Sequence, residues 1–111
     1  MIVYGIKTCD TCRKALKALE AADLSPQFRD VRADPLDKDE RAEFIAAFAD
    51  TLLNKASTTW RGLDDAEREQ PVDILLAAHP TLMKRPVIRG AALTLGWKKD
   101  AQAVHLPGAM S

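Results

Sequence analysis

The sequence has little of several features that would assign it to a class at once. It contains only two cysteines in 111 residues, and its 16 lysines and arginines equal its 16 aspartates and glutamates in number. A chain of this length can bury roughly two thirds of the surface that its unfolded form exposes, so it needs no disulfide to fold. The balanced charge excludes the global electrostatic footprint of a nucleic-acid-binding protein, and we expect no direct nucleic-acid partner.

Long apolar runs are also lacking. No stretch of about 18 apolar residues is present to span a bilayer, so no membrane association is expected. The N-terminal MIVYGIK has no cationic segment ahead of its apolar one, unlike a signal peptide, and the expected location is therefore the cytoplasm. No repeat, low-complexity run or linker divides the chain, so we predict one domain over residues 1–111.

The hydrophobic pattern predicts an α/β protein. A capping box of Asp37 and Glu40 begins one helix, and Pro71 divides or starts another. The predicted elements, in order, are a strand at 2–6, a helix beginning near the cysteines, a strand at 27–32, a helix after Asp37, a polar loop or short turn at 54–62, a helix opening at Asp64 and ending near Leu82, strands at 87–88 and 93–95, and a helix at 98–106. Residues 107–111 are expected to fray.

The two cysteines lie in the segment YGIKTCDTCRKAL, where the first strand ends and the first helix begins. In a reducing cytosol such a close pair is more typical of catalysis, redox sensing or metal binding than of a structural cross-link. A thiol is nucleophilic only as the thiolate, and the unpaired amides of a helix N-terminus stabilise an anion. We therefore predict Cys9 as the nucleophile and Cys12, one turn further along, as the resolving thiol.

Two alternatives remain open from the residues alone. A closed zinc site needs four ligands, and the further candidates, His79 and His105, lack a second paired spacing, so no metal is expected. The cysteines could also be two inert thiols buried in the core. A Cys-x-x-Cys motif that opens the helix of a β-α-β unit is, however, typical of thioredoxin-like redox proteins.

The segments YGIKTCDTCRKAL, STTWRGL and KRPVIRG, in this order and spacing, resemble the Spx/ArsC-like family of the thioredoxin superfamily, and within it the YffB-type branch. The resemblance extends from about Ile2 to the last helix. It implies a thioredoxin-like core, β-α-β followed by β-β-α with a mixed sheet, and a helical subdomain inserted at about residues 36–83.

The resemblance also implies roles for individual residues. Cys9 matches the catalytic cysteine of arsenate reductases, Cys12 matches the second cysteine of the Spx pair, and Arg85 matches the arginine that contacts the substrate anion. Pro86 matches the proline that follows a cis peptide bond beside the active cysteine. The residues expected to bind substrate or glutathione are Lys7, Thr8, Thr11, Arg13 and Pro86.

For the YffB-type branch the implied activity is that of a glutathione-dependent thiol reductase. Glutathione is then a co-substrate rather than a bound cofactor, and the reductant is glutathione or a glutaredoxin- or thioredoxin-type protein. One alternative is arsenate reduction with glutathione or glutaredoxin, but two positions that hold arginine in arsenate reductases are Asn54 and the Gly96–Trp97 region here. The other is an Spx-like redox-sensing adaptor that binds the RNA polymerase α subunit. A monomer is expected in either case.

Overall fold

The computed structural model describes residues 1–107. Within them the chain forms two compact units, one made of residues 1–30 together with the stretch from Arg85 onward, and one made of residues 31–84. The prediction that residues 107–111 fray concerns, apart from Pro107, positions outside the described residues. The prediction of a single domain with an insertion at about 36–83 stays a prediction.

In chain order the elements are β1 (Ile2–Gly5), α1 (Asp10–Ala21), β2 (Gln27–Asp30), α2 (Lys38–Phe48), α3 (Thr58–Arg61), α4 (Asp65–Arg68), α5 (Val72–Ala78), β3 (Val87–Arg89), β4 (Leu93–Leu95) and α6 (Lys99–His105). Short 3₁₀ turns at Ala49–Leu52 and Pro80–Leu82 follow α2 and α5. Within residues 1–107, no helix combines the length and the apolar character needed to cross a bilayer.

The first unit is built on a mixed sheet whose strands lie in the order β2-β1-β3-β4. β1 pairs in parallel with β2 and antiparallel with β3, and β3 pairs antiparallel with β4. This arrangement confirms the predicted fold class, because the α1 connection joins two parallel neighbours and the 93–95 strand returns as a hairpin. The parallel pairing is what places the end of β1 and the start of α1 at one edge of the sheet.

One face of the sheet packs against α1. Val3 and Ile88 on the sheet and Ala15 and Leu19 on α1 are fully buried and form a single cluster. Partly buried side chains pack around it, including Trp97. The apolar face of α1 therefore fixes the helix to β1, and with it the position of the turn between them.

The unit of residues 31–84 is helical, as the pattern predicts. The Asp37 carboxylate accepts a hydrogen bond from the Glu40 amide and the Glu40 side chain accepts one from the Asp37 amide, so the capping box that starts α2 is confirmed. The buried apolar side chains of the unit of residues 31–84 are spread over the whole segment. They are Val31, Leu36, Phe44, Leu52, Leu53, Leu63, Leu75, Leu76, Leu82 and Met83.

Some element boundaries differ from the predicted ones. The polar stretch predicted as a loop or short turn at 54–62 contains the four-residue helix α3, which is too short to show a helical period. Pro71 separates α4 from α5, at the N-cap position of α5. β2 ends at Asp30 rather than at residue 32, and Val31 is buried just beyond it.

Candidate active site

Cys9 is the N-cap residue of α1. Its backbone is extended, with φ −84° and ψ 118°. Its amide donates a hydrogen bond to the Ile6 carbonyl at 3.0 Å, and its carbonyl accepts one from the Arg13 amide at 3.1 Å. These two bonds close the turn after β1 and begin α1. Cys9 therefore lies at the predicted junction between the first strand and the first helix. The Cys9 side chain is partly exposed.

The surroundings of Cys9 favour its anion. Burial raises the pKa of the Cys9 thiol, but the opposing effects are larger in sum, and the pKa is lowered from the ordinary value. The opposing effects come from hydrogen bonding of the sulfur to the Cys12 amide, the Cys12 thiol and the Arg85 side chain, and from the positive charge of Arg85.

Cys12 has the opposite character. Its side chain is fully buried on the inner face of α1. Burial, together with the hydrogen bond and the negative charge that Cys9 presents, raises the pKa of Cys12 to about 12, although the Ile6 backbone and the Arg85 charge act the other way. At neutral pH the two sulfurs therefore form a thiolate-prone Cys9 beside a protonated Cys12.

Arg85 and Pro86 come to this site from far along the chain. The Arg85–Pro86 peptide bond is cis, as the resemblance implied, and Pro86 is fully buried at the start of β3. Arg85 is half-buried, and its hydrogen bond and positive charge both lower the pKa of the Cys9 thiol. The antiparallel pairing of β3 with β1 accounts for this proximity, because Val87 lies opposite Tyr4.

The four polar residues predicted to bind substrate all lie on the exposed turn and the first turn of α1. They are Lys7, Thr8, Thr11 and Arg13. The Lys7 amide donates to the Asp30 carboxylate at 3.2 Å, which ties the turn to β2. The Arg13 guanidinium donates to the Thr8 carbonyl at 3.2 Å and lies 3.5 Å from the Asp10 carboxylate. Their proximity to Cys9 is local in sequence, and their binding role stays a prediction.

The sequence analysis assigned no role to Gly5 and considered His105 only as a metal ligand. A Cβ placed on Gly5 would overlap the Cys12 sulfur, so the last residue of β1 has no room for a side chain. His105 on α6 is 5% exposed, and its Nε2 lies 2.8 Å from the Thr94 hydroxyl. This buried hydrogen bond joins α6 to β4. Neither could be found from local patterns, because each depends on a partner in another element.

Metal ligands are not assembled within residues 1–107: no group of three or more His, Cys, Asp or Glu side chains is placed to hold an ion. A shallow depression of about 370 Å³ lies within the unit of residues 31–84. Its lining includes Asn54, the position at which the resemblance puts an arginine in arsenate reductases, together with Lys55 and Lys84.

Comparison with known families agrees with this geometry. Residues 4–104 match the ArsC family, a range that contains both cysteines, Arg85 and Pro86. The chain belongs to the ArsC family. Among solved structures, the fold of this ArsC-family protein is similar to that of the YffB protein, with a TM-score of 0.81 and 33% identity over 96% of this chain and 98% of that one. It is also similar to an arsenate reductase (ArsC) related protein from Brucella melitensis, with a TM-score of 0.70 and 35% identity over 92% and 89% of the two chains.

Curated relatives extend the comparison. An uncharacterized protein of Haemophilus influenzae is 42% identical over 91% of this chain and 95% of its own length. The global transcriptional regulator Spx of Listeria innocua is 29% identical over 95% of this chain and 86% of its own length. The ArsC-family chain thus has relatives with the fold of reductases and relatives named as regulators.

The arrangement of this ArsC-family site suits nucleophilic sulfur chemistry. A partly exposed sulfur with a lowered pKa is the one that reaches an external electrophile first. A second sulfur within hydrogen-bonding distance is available for an intramolecular step. The arginine beside both provides a fixed positive charge, which stabilises whichever sulfur is the anion.

Proposed function

We propose that this protein is a thiol–disulfide oxidoreductase that works with glutathione, with Cys9 as nucleophile and Cys12 as resolving thiol. The observation that supports it is the opposite shift of two neighbouring thiols. Cys9 is partly exposed, and its pKa is lowered by the neighbouring Cys12 and Arg85. Cys12 is buried, and its pKa is raised. Inert core thiols would both be buried, with no arginine directed at one of them.

In the first step the Cys9 thiolate attacks one sulfur of a substrate disulfide. A bond forms between that sulfur and Cys9 Sγ, the substrate S–S bond breaks, and the other substrate sulfur departs as a thiolate that takes a proton from solvent. Arg85 holds the Cys9 anion before attack and lies next to the developing charge during it. The product is a mixed disulfide on Cys9.

In the second step Cys12 gives up its proton to solvent and, as the thiolate, attacks Cys9 Sγ. The Cys9–Cys12 disulfide forms and the second substrate half departs as a thiolate, so two electrons have passed from the pair to the substrate. Formation of the mixed disulfide removes the Cys9 charge, which is one of the causes that raise the Cys12 pKa, and leaves the Arg85 charge to favour the Cys12 anion. Reduced glutathione, the proposed co-substrate, then restores the pair: one glutathione thiolate opens the Cys9–Cys12 disulfide, and a second attacks the resulting mixed disulfide and releases glutathione disulfide, while the cysteine thiolates regain protons from solvent.

Glutathione carries two carboxylates, and the exposed turn before α1 offers groups to hold them. Lys7, Thr8, Thr11 and Arg13 lie there within a few residues of Cys9. The free amides at the N-terminus of the 12-residue α1 add partial positive charge. A glutaredoxin- or thioredoxin-type protein could replace glutathione as reductant, since its exposed sulfur performs the same attack.

Intact-protein mass spectrometry after incubation with oxidised glutathione tests the proposal. The wild-type protein should gain one glutathione transiently and then release it as reduced glutathione, leaving an internal disulfide and a mass two hydrogens below that of the reduced protein. Cys9→Ser should gain none, and Cys12→Ser should accumulate the adduct. An adduct that forms equally well on Cys9→Ser, or a wild-type protein that forms neither the adduct nor the internal disulfide, would overturn the assignment.

A second candidate function comes from the curated relatives named Spx. A redox-sensing adaptor that binds the RNA polymerase α subunit would use the same cysteine pair as a switch rather than as a catalyst. A pull-down of the purified α subunit by the reduced and the oxidised protein separates the two functions. Redox-dependent retention of the α subunit would favour the adaptor, and its absence alongside turnover would favour the enzyme.

Arsenate reduction is less well supported by the residues. A doubly charged oxyanion is best held by several bidentate guanidinium groups, and Asn54 stands at one of the expected arginine positions. We therefore expect no arsenate-dependent oxidation of glutathione above background. Turnover of arsenate at a rate comparable with that of a disulfide substrate would reverse this order.

A further inference from the structure

Gly5, the last residue of β1, lies directly against the resolving thiol. An added Cβ there would overlap Cys12 Sγ, lie 3.2 Å from Cys12 Cβ and lie 3.3 Å from Phe28 Cε1. Contacts of this kind are tighter than a side chain normally tolerates, so the space belongs to the Cys12 sulfur.

The need for glycine is steric and not conformational. Among the described residues Gly96 is the glycine with a positive φ, at 87°, whereas Gly5 is part of regular β1. A strand normally disfavours glycine, because it loses backbone entropy and has no side chain to pack. Its presence at the end of this buried strand is explained by what occupies the vacant Cβ position.

Cys12 has few other places for its sulfur. It lies in the first turn of α1, where side chains are restricted to two of the three staggered χ1 orientations. Its side chain is fully buried, so the surrounding atoms leave no open solvent into which the sulfur could turn. The position beside Gly5 is also the one from which Cys12 hydrogen-bonds to Cys9.

We propose that Gly5 is a positioning residue for the resolving step: the missing side chain on β1 holds Cys12 Sγ where it can attack Cys9 Sγ in the mixed disulfide. This rests on the proposed function of the pair. In that step the new bond joins the two cysteine sulfurs, the bond between Cys9 and glutathione breaks, and glutathione departs as a thiolate that is protonated by solvent.

The test is Gly5→Ala in the intact mass experiment with oxidised glutathione. Attack on glutathione disulfide by Cys9 should change much less than the resolving step, because Arg85 and the Cys12 amide still act on the Cys9 sulfur. The mixed disulfide should live about 10- to 100-fold longer, as expected for a reacting atom misplaced by about 1 Å. A lifetime equal to that of the wild-type adduct, or shorter, would overturn the inference.

A matched control is Gly62→Ala, since a Cβ on Gly62 meets only backbone oxygens at 3.5 and 3.6 Å. It should leave the adduct lifetime unchanged. A second readout is the fraction of Cys9–Cys12 disulfide in glutathione redox buffers, which Gly5→Ala should lower and Gly62→Ala should not. A merely structural role of Gly5 would leave that equilibrium unaltered.

A stability cycle on the reduced protein covers the case in which Gly5→Ala folds poorly. Cys12→Ala removes the sulfur that the new methyl group would overlap, so Gly5→Ala should cost markedly less stability in the Cys12→Ala background. An equal cost in both backgrounds would show that the sulfur does not use this space. The cycle needs no glutathione chemistry, so the steric inference can fail while the proposed function stands. A wild-type protein that forms neither the adduct nor the internal disulfide would instead refute the proposed function.

Discussion

Cys9 and Cys12 belong to one short motif, yet their side chains have opposite surroundings. The N-cap position leaves Cys9 partly exposed beside an arginine, and three residues later the helix has turned Cys12 fully inward. A Cys-x-x-Cys motif at a strand-to-helix junction predicts separate roles for the two thiols, but not their opposite burial, because positions three apart lie on the same side of a helix. It does not predict which distant side chain stabilises the anion.

Arg85→Ala should raise the pKa of the Cys9 thiol, because it removes both a hydrogen-bond donor and a positive charge from the anion. At pH 7 less thiolate is then present, and alkylation of Cys9 should slow by about three- to tenfold. The ultraviolet absorbance of the thiolate, titrated against pH, measures the shift directly. Arg13→Ala is the control, since the exposed Arg13 guanidinium already bonds the Thr8 carbonyl. If the titration curves of Arg85→Ala and the wild-type protein coincide, Arg85 does not stabilise the Cys9 thiolate.

The buried His105 should make the free energy of unfolding depend on pH. Burial lowers its pKa, so the unfolded chain, with an ordinary value near 6.5, binds the proton more readily than the folded one. The stability of the folded state is therefore fully retained above about pH 6.5 and decreases as the pH falls toward the lowered pKa. Denaturant unfolding at pH 7.5 and pH 5 should show a smaller decrease for His105→Gln, which cannot titrate. An equal decrease in both proteins would mean that His105 does not contribute.

At the scale of elements, α1 has two functions, since its N-terminus faces the reactive sulfur and its apolar face packs against β1 and β3. Leu19 and Ala15 supply that face, and both are fully buried with Val3 and Ile88. The amphipathic pattern predicted this helix, and the capping box predicted the start of α2, because both signals are local. The four-residue α3 was not predicted as a helix, since so short a segment shows no period.

Leu19→Ala tests the anchoring of α1. Loss of a buried leucine should lower the free energy of unfolding by about 2–5 kcal/mol. Lys17→Ala, an exposed change on the same helix, should alter it by less than about 0.5 kcal/mol. Urea denaturation of the three proteins gives the comparison. Similar midpoints for Leu19→Ala and wild type would mean that α1 is not fixed through this cluster.

At the scale of the whole molecule, the sheet order explains what the sequence could and could not provide. The parallel β1–β2 pair and the β3–β4 hairpin follow from periodicity and connection length. The contacts of Arg85 with Cys9, of Gly5 with Cys12 and of His105 with Thr94 depend on long-range pairing. Arg85 was identified only through resemblance to a family, no role was predicted for Gly5, and His105 was considered only as a metal ligand.

The balanced charge of the whole chain supports a further prediction. Sixteen cationic side chains are offset by 16 anionic ones, so a polyanion should gain little on binding. The protein should elute from heparin at a salt concentration well below about 0.2 M, in the range typical of weak nonspecific contacts. Retention to substantially higher salt would reveal a local cationic surface and support a polyanionic partner.

The central claim is that the Cys9 thiol ionises more readily than an ordinary cysteine, whereas the buried Cys12 thiol stays protonated. Its most direct test is the rate of alkylation of each cysteine as a function of pH, followed on the reduced native protein by peptide mass spectrometry. The account predicts that Cys9 reacts first, with a midpoint below that of an ordinary cysteine, and that Cys12 stays unmodified up to the alkaline limit of folding. Equal rates for the two thiols, or earlier modification of Cys12, would contradict it.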